Sequence, residues 1–300
     1  MKTTLATLAL AVIPTFALAQ TVEVETATGR MAVPAAPKII VALDLAAIDD
    51  LSALGLKVAG VPDITPPAYL AEAFANTKIV GTLFEPDFEA LAVMAPDLIV
   101  AGGRSQTQVA PLSQIAPTID MTISGDEFFT QAEARVVAYG EIFGLEGKAT
   151  TLLADLDAAV AKSKLAAEGK GDVLILLTNG GKVSAYGDDS RFGWLHTALG
   201  LPEAYPDLTA ETHGEAVSFE FVADVNPDWI FVVDRGAAIG QDGEAAAVTL
   251  DNPLVAGTNA GKAGQIVYLD SARLYLSGGG IQSMMGTIAE VTSAFAPDAS

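Results

Sequence analysis

At 300 residues, 51% hydrophobic and 18% charged, the chain has the composition of a folded globular protein with one large domain or two lobes. Its formal net charge of −21 argues against nucleic acid and anionic membrane surfaces as partners, and an anionic ligand would need a local cluster of cations. The chain has no cysteine, so neither a disulfide nor a lipid anchor is expected and burial has to supply the stability.

Residues 1–19 read as a secretory signal peptide. Lys2 precedes an apolar stretch over 5–13 and the small-residue cleavage pattern Ala17-Leu18-Ala19, and the apolar core is too short to span a membrane. An exported chain without a lipid anchor points to the periplasm of a Gram-negative bacterium. Residues 21–26 and 31–33, separated by Ala27-Thr28-Gly29, read as a hairpin. A buried strand follows at 39–43, then a helical segment ending in Ala53-Leu54-Gly55-Leu56. The same plan returns later, with a strand at 172–177 and a helix at 192–199 ending in Ala198-Leu199-Gly200-Leu201. Glu89 is followed by Pro96-Asp97 and a strand at 98–101, and Glu220 at the same spacing by Pro227-Asp228 and a strand at 229–233. Two βα lobes of one design are implied. Between them, 127–143 and 148–168 read as helices broken around Gly144 to Gly147, the second with Leu152, Leu153, Leu156, Val160 and Leu165 on one face. The expected layout is a signal peptide over 1–19, an N-terminal lobe over 20–146, a linking helix over 147–169 and a C-terminal lobe over 170–300.

The chain has six arginines and two histidines. Arg104, Arg191 and Arg235 stand in glycine-containing loops after apolar, strand-like runs, at Gly102-Gly103-Arg104, Ser190-Arg191-Phe192-Gly193 and Asp234-Arg235-Gly236. His196 follows Trp194 inside a helix and reads as structural. Gly278 to Gly280 have no following Lys-Ser or Lys-Thr, so a phosphate loop is poorly supported. The glycines read instead as allowing close backbone approach before a helix beginning near Gln282 and leaving room for ligand. No Gly-x-Ser-x-Gly elbow is present, which argues against a serine hydrolase. Two histidines also fit a free-metal binder poorly.

Several stretches carry a likeness: Gly81-Thr82-Leu83-Phe84-Glu85-Pro86-Asp87-Phe88-Glu89, Asn179-Gly180-Gly181-Lys182, Ser190-Arg191-Phe192-Gly193, Thr212-His213-Gly214, Asp234-Arg235-Gly236 and Tyr275-Leu276-Ser277-Gly278-Gly279-Gly280. In these the chain resembles the helical-backbone class, class III, of periplasmic substrate-binding proteins, and within it the iron–siderophore binders of the enterobactin and petrobactin type. That resemblance implies an α/β fold of two Rossmann-like lobes joined by a long backbone helix. It also implies a monomeric, non-enzymatic carrier with no tightly bound cofactor, which takes up Fe(III) as a ferric catecholate siderophore complex and hands it to an inner-membrane ABC permease. Arg104, Arg191 and Arg235 would contact catecholate oxygens, His213 and Tyr275 would complete the iron shell, and Glu89 and Glu220 would dock on the permease, with Glu85 a competitor for the first docking role.

The chemistry agrees with these roles. Fe(III) is a hard cation that prefers anionic oxygen donors, and guanidinium reaches several such oxygens and stacks on aromatic rings. A bis-catecholate leaves two iron positions that His213 and Tyr275 can fill. The alternatives are an aromatic anchor on a loop for Tyr275 and a loop hydrogen bond for His213. Surface roles are expected for Lys182 and Arg273. Another iron chelate, haem or cobalamin stays open as ligand on the same scaffold, and a siderophore-processing hydrolase is the alternative among enzymes.

Overall fold

The computed structural model describes residues 20–125, 127–208 and 214–296, so the expected signal peptide lies outside the described residues. Strands β1 (Thr21–Thr26) and β2 (Gly29–Pro34) pair as the antiparallel hairpin expected from their alternation. The first five-stranded sheet has the order β5-β4-β3-β6-β7, all parallel, from β3 (Ile40–Ala42), β4 (Gly60–Val61), β5 (Lys78–Ile79), β6 (Leu98–Ala101) and β7 (Thr118–Asp120). Its central strands are apolar throughout because helices cover both faces. The second sheet runs β10-β9-β8-β11-β12, from β8 (Val173–Asn179), β9 (Lys182–Tyr186), β10 (Glu215–Val217), β11 (Trp229–Asp234) and β12 (Ile266–Tyr268). Here β8, β11 and β12 are parallel, while β9 pairs antiparallel with β8 and β10 antiparallel with β9. The chain is thus a two-lobed α/β protein of the helical-backbone class.

The duplicated spacing in the sequence has a common structural basis. The helices Phe88–Met94 and Phe219–Val225 begin at Asp87 and Ser218, whose side chains accept from Ala90 N and Phe221 N. Each ends on a left-handed residue, Ala95 or Asn226, and Pro then prevents continuation. The following aspartate ties the next strand to its neighbour: Asp97 accepts from the backbone of Lys38 and Ile39 at 2.8 Å, and Asp228 from that of Asp172 at 3.3 Å.

The helix Glu146–Ala167 is the connector, 22 residues long and therefore ~33 Å. It packs on the helix Phe128–Phe143 and on the C-terminal helix Ile281–Phe295. Gly144, left-handed, ends the preceding helix, and the connector resumes at Glu146 rather than Lys148. One expectation fails here. Leu165 is 74% exposed, because the buried seam runs through Ala149, Leu156, Ser163 and Ala167, and Leu165 lies about 200° around the helix from Ser163.

The C-terminal helix is gripped from the other half of the chain. Asp49 and Asp50, on the helix Leu45–Ala53, are fully buried. Asp50 accepts from Ile281 N at 2.7 Å, and Asp49 from Gln282 N at 2.8 Å and Ser283 N at 2.9 Å, so two carboxylates serve the unsatisfied N–H groups of one helix start. Tyr69 donates to Asp49 at 2.6 Å and shares a 2.7 Å hydrogen bond with Ser277. A side chain at Gly280 would collide with Asp49, which accounts for that glycine. Burial pushes both carboxyls up, Asp49 to about 6 despite its donors, and Asp50 well above the ordinary range with Asp49 beside it.

Candidate functional site

Three of the expected residues follow the ends of sheet elements. In each sheet the chain leaves the central strand in opposite directions, between β3 and β6 and between β8 and β11, and such switch points open a crevice at the carboxyl ends of the strands. Arg104 follows β6 through Gly102 and Gly103, the latter at φ +51°. Ser105 anchors this turn by donating to Leu43 O at 3.1 Å at the end of β3. Arg235 starts a short helix directly after β11, and Asp234 fixes that corner by accepting from Ala237 N at 3.0 Å and Ala246 N at 2.8 Å. Arg191 sits in a turn closed by the Ser190 hydroxyl on Gly187 O at 2.6 Å. A side chain at Gly193 would overlap the Asp188 carbonyl.

These three arginines converge on Tyr275. Arg104 and Arg191 donate to the Tyr275 carbonyl at 3.1 and 2.8 Å, and their guanidinium carbons lie 5.3 and 4.5 Å from the ring centre. Arg235 Nε donates to the phenol oxygen at 3.2 Å, and its Nη1 donates to Asn179 Oδ1 at 3.3 Å. Among the described residues no carboxylate is within ion-pairing distance of the three. Positive charge is therefore concentrated at one place in a strongly acidic chain. Burial and the nearby Arg104 hold Arg191 below the usual guanidinium value. Burial alone would raise the Tyr275 phenol; the Arg235 hydrogen bond and the charges of Arg191, Arg235 and Arg104 outweigh it and hold the phenol below 10. A cation-lined phenol of this kind is prepared to lose its proton to a metal ion.

The remaining expected residues fall in several places. Tyr275 lies in the helix Ser271–Ser277, not on a loop. His213 lies outside the described residues. Glu89 and Glu220 are exposed, each the second residue of its equivalent helix. Glu85 and Lys182 are exposed as well. His196 is buried, with Nδ1 3.0 Å from Leu201 O, and burial lowers its pKa, in keeping with a structural role. Arg273 does not have the expected surface role: its side chain is 18% exposed, stacks 4.2 Å from the Tyr69 ring centre and donates to Gln282 O at 3.1 Å. It fits because Gly286 has no side chain to fill the same space. Asn179 as a partner of Arg235 was not anticipated, although its place at the end of β8, matching the end of β3 in the other sheet, was a usable signal.

A family profile described as periplasmic binding protein matches residues 40–272. The chain belongs to the periplasmic binding protein family. Within this family of substrate-binding proteins it is 40% identical over 264 residues to the petrobactin-binding protein YclQ of Bacillus subtilis, covering 86% of this chain and 83% of the relative. The crystal structure of YclQ superimposes with a TM-score of 0.89 over 93% of this chain and all of that one, at 36% identity. The ferric-anguibactin-binding protein FatB of Vibrio anguillarum is 29% identical, with 89% and 85% of the two chains covered. The periplasmic catecholate-siderophore binding protein VctP of Vibrio cholerae superimposes with a TM-score of 0.85 at 28% identity, over 91% of this chain and 100% of that one. As a periplasmic binding protein of this class, the chain matches the family read from its motifs.

Proposed function

We propose that this periplasmic binding protein captures a ferric catecholate siderophore in the crevice between its lobes and delivers it to an ABC permease. The observation that carries the reading is the convergence of Arg104, Arg191 and Arg235 on Tyr275 with no carboxylate counter-ion among the described residues. Half-buried guanidinium groups without a counter-ion are costly, and an anionic complex offsets that cost. A ferric tris-catecholate is trianionic and a bis-catecholate monoanionic by formal count, and both present flat, oxygen-edged rings that a guanidinium can hydrogen-bond and stack on. The names of YclQ, FatB and VctP support the same ligand class.

On this reading the chain is a carrier, not an enzyme, and it is exported to the periplasm by its amino-terminal segment. His213 and Tyr275 bind iron directly when the siderophore leaves two positions open. Glu89 and Glu220, exposed at equivalent points of the two lobes, dock on the permease. A fluorescence titration with a panel of ferric siderophores tests the ligand class, with Trp194, packed 6.1 Å from Phe129 and close in sequence to Arg191, as reporter. Ferric bis- and tris-catecholates bind with sub-micromolar Kd and ferric hydroxamates far more weakly; equal affinity for a ferrioxamine would contradict the catecholate assignment.

A further inference from the structure

Beside the arginine–tyrosine cluster lies a cavity of roughly 110 Å³ whose wall includes Arg104 and Arg191, Gly103 and Gly279, and two residues that iron capture does not use, Asp44 and Arg135. Arg135 comes from the helix Phe128–Phe143 and is only 6% exposed. Its ion-pair partner is Asp44, with Nη1 3.7 Å from Oδ2, beyond hydrogen-bonding distance, and the Asp50 carboxyl also feels its charge. Among the described residues, no protein acceptor is bonded to the Arg135 guanidinium, and no donor is bonded to the buried Oδ2 of Asp44. Buried ionic groups are ordinarily hydrogen-bonded, and a pair held apart in this way has the cost of desolvation with little return. A neutral group that both accepts from Arg135 and donates to Asp44, a water or a ligand hydroxyl, satisfies the pair.

Charge narrows the choice. A carboxylate would face the Asp44 carboxylate, and an ammonium would face three guanidinium groups, whereas one neutral hydroxyl offers both a lone pair and a proton. The volume suits a hydroxyl on one or two carbons, the space of a few waters. We propose that this cavity is a subsite for a hydroxyl-bearing arm of the siderophore that does not touch iron, and that Arg135 and Asp44 select ligands that carry it. The inference rests on the capture of a ferric catecholate at the neighbouring arginines.

The test uses two ferric bis-catecholates with the same linker, one with a hydroxyl at its midpoint and one with hydrogen there, titrated into the full chain. The wild type binds the hydroxyl form about tenfold more tightly, the scale of one hydrogen bond to a charged group. In Arg135→Met the ratio falls to near one. Because that change leaves Asp44 without its charged neighbour and can impair folding, Arg135→Lys provides a second route. It keeps a cation opposite Asp44 but replaces the guanidinium fork by a shorter point charge, and it also brings the ratio towards one. Tight and equal binding of both complexes by the wild type would overturn the subsite while leaving catecholate capture standing. Binding of neither complex would overturn the catecholate reading and the subsite with it.

Discussion

Tyr275 is the residue on which the site turns, because its carbonyl, ring and phenol each engage an arginine. If the phenol ligates iron, Tyr275→Phe shifts the visible charge-transfer band of a bound ferric bis-catecholate and weakens that tetradentate ligand, while a hexadentate tris-catecholate, whose iron shell is already full, is barely affected. An unchanged band, with both affinities preserved, would reduce Tyr275 to a packing residue. Each single replacement of Arg104, Arg191 or Arg235 by Ala costs about 1.5 to 3 kcal/mol of binding, the range of a charge-assisted hydrogen bond, measurable by calorimetry on folded protein. The arginines were legible in the sequence because nearby glycines mark loops after strand-like runs. Arg135 was not, since a single cation in a helix looks the same whether it faces solvent or a partly buried aspartate.

At the scale of elements, the paired carboxylates under the C-terminal helix make stability depend on pH. Asp49 rises from an ordinary 3.8 to about 6 in the folded protein, so the native state holds its proton more tightly than the unfolded chain does. The stability this contributes is complete below about pH 4 and is lost as pH rises through about 6; Asp50, also raised, extends the fall to higher pH. Thermal melts across this window therefore show the Tm of wild type falling, relative to Asp49→Asn, as pH rises from about 4 to 6. Parallel Tm profiles would show that Asp49 titrates normally. The sequence displayed the repeated strand–helix units and their Pro-Asp corners because those are local signals. It hid this grip, which joins residues more than 230 positions apart, and it misplaced Leu165, whose seam is set by what packs against the connector rather than by where its leucines fall.

For the molecule as a whole, one ~33 Å helix joins lobes whose sheets both aim their switch points at the same crevice. The C-terminal helix packs on that connector and is held from the N-terminal half by Asp49 and Asp50, which restricts hinge motion to small displacements. Solution scattering accordingly gives nearly superimposable curves for free and ligand-loaded protein; a marked contraction on loading would indicate a wide hinge. The most direct test of the central claim is a titration of ferric bis-catecholate into the triple variant Arg104→Gln, Arg191→Gln, Arg235→Gln, followed by circular dichroism in the visible charge-transfer band. The arginine cluster as ligand site predicts a far-ultraviolet spectrum like that of wild type and no induced visible signal at concentrations that saturate the wild type, whereas an induced signal with wild-type affinity would place the iron complex elsewhere on the protein.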